Sequence, residues 1–183
     1  AHRNNVKEGF VLSRVTIGAD VAVTSIIIER SKKLFPNARI CFLANSKNYE
    51  LFGGEENIKI IPMDYQRRGG LISRLESWLH ALESINSETK DMELGEYAII
   101  DSNSRVTQLG LLPLVKKDTG YYLFEPLAHA DEEMRKLGED VNEWLNKVFE
   151  GTIEDFTYPA LSVPVRYNEA AKGFYQKLFS NKE

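Results

Sequence analysis

Three short stretches gather side chains able to do chemistry. The first is SRVTIGADVAVTSIIIER (residues 13–30), which reads as an apolar strand, a glycine turn at Gly18 and a helix opening on Asp20. Aspartate is among the best N-cap residues, worth about 1 kcal/mol, and sits well at the positive end of a helix. The same carboxylate could instead take a proton from a sugar hydroxyl as a general base. The two roles are compatible only if the side chain can leave the cap. The second stretch, DYQRRGG (64–70), puts Arg67 and Arg68 on a loop. Their guanidinium forks suit a carboxylate or phosphate, and a solvated turn ahead of a helix is the plainer reading. The third, DSNSR (101–105), sets Asp101, Ser104 and Arg105 beside a further hydroxyl and an amide. Any one of these could cap the next helix, but the density of donors and acceptors points to sugar recognition.

Other chemistries fail on the residues. TIGAD is not G-x-G-x-x-G and no G-x-x-x-x-G-K-[ST] occurs, so dinucleotide and P-loop readings fall away. His2, His80 and His129 are scattered, and Cys41 is the single cysteine. No metal site and no cofactor are therefore expected. Cys41 lies in the apolar run RICFLAN and reads as a small core residue in a reducing compartment. A net charge of -4 with no basic run longer than a pair argues against nucleic acid. No apolar run nears the ~20 residues that span a bilayer. The start, AHRNNVKEGF, lacks the apolar core of a secretory leader. The expectation is a cytoplasmic domain, with peripheral contact to an inner membrane left open.

The elements that must position these residues follow from apolar periodicity. With 183 residues, 43% hydrophobic and 27% charged, the chain suffices for one domain with a real core. Strands are expected at Phe10–Thr16, Ala38–Ala44, IKIIPM (58–63), Glu96–Asp101 and GYYLFEP (120–126). Between them lie a helix from Asp20 to the Pro36-Asn37 stop, one or two turns in KNYELFGG, and an amphipathic helix stepping Leu71, Leu75, Leu82, Ile85. TQLGLLPL is a short helix candidate broken at Pro113, and a long helix runs from Met134 to Val148. After Gly151 the composition changes, with Pro159 and Pro164 leading into a helix near Ala170 to Phe179. Residues 1–150 thus read as a Rossmann-like α/β domain and 151–183 as linker and terminal helix. Alternating strands and helices predict a doubly wound, mostly parallel sheet, which binds ligands outside the carboxyl ends of its strands. The three polar stretches all fall there.

In order along the chain, Gly18, Asp20, Val21, Thr24, Ser25, then LFPNARICFLAN and NYELFGGEENIKIIP, resemble the amino-terminal half of the heptosyltransferases, glycosyltransferase family 9. The resemblance runs from about Val11 to Pro62, and more weakly through YAIIDSNSRVTQLGLLP. Ala19 interrupts the family's Gly-Asp pair, and Ile26 stands where proline is frequent. The resemblance implies one half of a GT-B glycosyltransferase, with the acceptor sugar in this domain and the nucleotide sugar in a second, carboxyl-terminal one. It implies Asp20 as the base that deprotonates the acceptor hydroxyl, with Gly18 and Thr24 in the same motif. Arg67, Arg68 and Arg105 are assigned to the anionic acceptor by position only. After Gly151 too few residues remain for a second Rossmann-like unit, so transfer by this chain alone is not expected. The rival expectation is a stand-alone Rossmann-like module that binds a small anionic ligand or a protein, without chemistry.

Overall fold

A parallel strand buried on both faces must be apolar on both, and its residues then divide by parity between two cores. The strands here do so. In β1 (Glu8–Leu12), Val11 enters one core while Phe10 and Leu12 enter the other. In β2 (Arg39–Ala44), Ile40, Phe42 and Ala44 face the first core, and Cys41 and Leu43 the second. The same alternation carries Ala98 and Ile100 against Ile99 in β4 (Tyr97–Asp101). With β3 (Ile58–Pro62) and β5 (Tyr121–Leu123) these form one all-parallel sheet of order β3-β2-β1-β4-β5. The computed structural model describes residues 3–63, 70–102, 120–124, 137–151 and 156–179, apart from the side chains of Arg74 and Trp78.

Helices cover both faces, which makes the fold Rossmann-like α/β. The run after β1 has three parts: α1 (Ile17–Ala19), a π-helical turn (Asp20–Thr24) and α2 (Ser25–Leu34). Ile26 and Ile27 of α2, Phe52 of α3 (Tyr49–Phe52), and Val141 and Leu145 of α5 (Leu137–Val148) fill the first core. Ala81 and Ile85 of α4 (Leu71–Glu88) pack on the second. Residues 156–164 return over the first face. Thr157 is tied to buried Asn142 of α5, its N–H donating to Oδ1 at 2.8 Å and its carbonyl accepting from Nδ2 at 2.9 Å. Ser162 exchanges backbone bonds with Leu51 and Gly54, where a Cβ on Gly54 would meet the Ser162 carbonyl oxygen at 2.6 Å. Then α6 (Val165–Phe179) leaves the body with none of its residues buried.

Several boundaries differ from the sequence expectation: β1 starts at Glu8 and α6 at Val165, and two more differ beside Asp20. β1 ends at Leu12, four residues before Thr16, and the helix opens at Ile17 rather than Asp20. Thr16 is the cap, its hydroxyl accepting from the Ala19 N–H at 3.3 Å. Exposed Ile17 disguised the first turn as more strand. Met134 and the Pro113 segment lie outside the described residues.

At the amino ends of the strands, the cores are closed by charge. Arg39 donates to Glu8 and Glu88, and Lys59 reaches Glu88 at 2.6 Å. The Cys41 thiol donates to Glu8 Oε2 at 2.7 Å. Burial first, and the neighbouring Glu8 carboxylate second, push this thiol far above its ordinary pKa of 9.0. A folded-state pKa raised above the unfolded one gives stability that is complete below pH 9 and lost as the pH rises beyond it. The native thiol should therefore resist a disulfide reagent at pH 8 until the protein unfolds. Urea midpoints measured from pH 8 to 10.5 should fall more steeply in the wild type than in Cys41→Ala; equal slopes would contradict this account.

Candidate functional site

In a sheet of this order the direction of winding reverses between β1 and β4, and it is outside the carboxyl ends at such a switch point that folds of this class place their ligand crevice. Arg14 spans the switch point. Its Nη1 donates to the Ser102 carbonyl at 3.0 Å and its guanidinium lies 5.8 Å over the Phe124 ring, just past β5. Ser102 Oγ ties the same edge down, donating to the Leu12 carbonyl at 2.6 Å. The switch point thus carries a cation held on three adjacent strand ends.

Asp20 stands one turn inside the helix and does not cap it. Its carboxylate is inaccessible and accepts four hydrogen bonds among the described residues. Oδ1 receives the Arg14 N–H and the Thr24 hydroxyl, each at 2.8 Å. Oδ2 receives the Ser13 hydroxyl at 2.7 Å and the Asn48 amide at 3.1 Å. The pull on Ser13 and Arg14 draws the chain out of the strand and into a strap over the carboxylate. Val15 at the strap's tip holds φ 73°, a conformation that costs a β-branched residue energy unless its surroundings impose it. Its N–H is held by Ser13 Oγ at 2.9 Å. The π-turn belongs to the same device: the Ser25 N–H reaches back five residues to the Asp20 carbonyl. Such turns frequently mark functional positions.

The structure brings Asp20 and Thr24 together, both buried, with Gly18 on the exposed turn above. Nothing lies within 4 Å of a Cβ on Gly18, so no protein contact demands glycine there. Asp101 is held elsewhere, its Oδ2 accepting from the Tyr121 hydroxyl at 2.7 Å. Arg67, Arg68, Ser104 and Arg105 lie outside the described residues. Sequence reasoning missed Ser13, Arg14 and Asn48, while Ser102 is the further hydroxyl of the DSNSR stretch. A polar pair directly after an apolar strand was the available signal for Ser13 and Arg14; Asn48 had none, because only the β1–β2 pairing brings it in.

No family model, curated protein or solved structure matches the chain. The site therefore rests on its own geometry. Among the described residues, Glu8, Cys41 and Glu88 bring ligand atoms within 4.8 Å of one another, at the far end of the sheet. Arg39 and Lys59 already supply the positive charge there.

Removing the carboxylate strands four buried donors, each costing about 1–3 kcal/mol when left unsatisfied. Asp20→Ala should lose roughly 3–5 kcal/mol in urea unfolding, while Asp20→Asn, which keeps one acceptor oxygen, should lose less. A loss under about 1 kcal/mol for Asp20→Ala would show that the strap does not depend on this group.

Proposed function

We propose that this chain forms the acceptor-sugar half of an inverting glycosyltransferase of the heptosyltransferase kind, working on a cell-surface glycan or lipopolysaccharide core with a nucleotide-diphospho-sugar donor. The observation that carries this reading is α6. Tyr167, Ala170, Ala171, Phe174 and Leu178 fall on one helical face. Phe174 and Leu178 are 65% and 53% exposed. The helix starts against α3, where Arg166 lies 5.4 Å over the ring of Tyr49, the residue after Asn48. An uncovered apolar helix in that place suits a second domain closing a split ligand site from the opposite side. The positive charge of Arg14 at the switch point suits an anionic acceptor.

In the transfer, the acceptor oxygen bonds to the anomeric carbon as the bond to the diphosphate breaks, and configuration inverts. Asp20 takes the hydroxyl proton, and the second domain holds the diphosphate that leaves with the bonding electrons. For this the strap must first release the carboxylate. The sealed state of Asp20 favours a second reading, a Rossmann-like binding module for a small anionic ligand or a protein, in which Asp20 only holds the strap.

A thermal-shift titration separates the readings. A ligand at 100 times its Kd adds about 2.7 kcal/mol, or roughly 5–10 °C for a domain of this size. Sedoheptulose 7-phosphate and glucose 6-phosphate should stabilise the chain, whereas ADP-glucose and UDP-glucose should not. Stabilisation by the nucleotide sugars alone would overturn the acceptor-half assignment.

A further inference from the structure

Asn48 is 1% exposed, and its Oδ1 is the buried side-chain oxygen without a hydrogen-bond partner among the described residues. The orientation of the amide is fixed. Its Nδ2 donates to Asp20 Oδ2 at 3.1 Å, and turning the amide over would set two acceptor oxygens against each other. The described donors around Asp20 are already committed. The hydroxyls of Ser13 and Thr24 and the Arg14 N–H each have one proton, and each gives it to the Asp20 carboxylate. A buried carbonyl left unmet carries its full desolvation cost, so among the described residues this corner holds an acceptor that a ligand donor could satisfy.

We propose that Asn48 is a substrate-binding residue whose Oδ1 accepts a hydrogen bond from a sugar hydroxyl, placing that hydroxyl beside the Asp20 carboxylate at the carboxyl ends of β1 and β2. The chemistry of the corner selects the group. A dianionic phosphate ester or a carboxylate has no proton to give, and any phosphate is repelled by the Asp20 carboxylate, so the anionic end of the ligand lies toward Arg14 and the hydroxyl-bearing end toward Asn48. Asn48 and Asp20 are both sealed from solvent, so binding of the hydroxyl requires the Ser13–Thr16 strap over Asp20 to open. This inference rests on the acceptor-sugar reading and adds the residue that orients the acceptor.

The test is a titration of the isotope-labelled full chain, followed by NMR, with glucose 6-phosphate, sedoheptulose 7-phosphate and inorganic phosphate. The Asn48 side-chain amide pair, assigned by its loss in Asn48→Leu, should shift saturably with the sugar phosphates and not with inorganic phosphate. Asn48→Leu should weaken sugar-phosphate binding about tenfold or more, the usual penalty for removing a buried partner of a ligand hydroxyl. If Asn48→Leu does not fold, Asn48→His, which keeps a ring N–H toward Asp20 and removes the carbonyl, should show the same loss. Saturable sugar binding at unchanged affinity in these variants would overturn the role of Asn48 and leave the acceptor-half reading standing. Absence of binding by either sugar phosphate to the wild type would overturn both.

Discussion

One buried carboxylate organises the carboxyl ends of the strands in this domain. Asp20 gathers donors from three separate segments: the strap after β1, the π-turn and the 3-10 turn Ser46–Asn48 after β2. Charge without solvent is tolerated in a protein interior only when it is fully hydrogen-bonded, and four donors meet that condition. Because the donors come from distant positions, the carboxylate fixes the strap's path, the strained backbone at Val15 and the position of Arg14 at the switch point.

The two ends of the sheet solve their electrostatics differently. At the amino ends, Glu8 and Glu88 are neutralised by Arg39 and Lys59, so charge is cancelled by charge. At the carboxyl ends, Asp20 is held by four neutral donors, while the Arg14 guanidinium is held on the Ser102 carbonyl. The first arrangement closes a core. The second leaves a sealed acceptor at Asn48 and a cation at Arg14, the pairing on which the proposed binding of a hydroxyl-bearing anion rests.

Much of the fold was legible because parallel strands buried on both faces leave an unmistakable trace. RICFLA and YAII are continuous apolar runs, and the helices between them keep a 3.6-residue period. The boundaries near the site were not legible. Apolar but exposed Ile17 resembled a strand residue, and the capping power of Thr16 was overshadowed by that of Asp20. Asp20 itself stood out from its type and position, whereas its burial did not, since it depends on Asn48, twenty-eight residues away and adjacent only through the pairing of β1 with β2.

The measurement that tests this account most directly is native-state hydrogen exchange at the Arg14 amide, compared between the wild type and Asp20→Asn. With its N–H bonded to an inaccessible carboxylate, Arg14 should exchange as slowly as the central amides of β1, and at least about tenfold faster in the variant. Exchange of Arg14 in the wild type at the rate of an open loop, while β1 stays protected, would contradict the claim that Asp20 holds the strap closed.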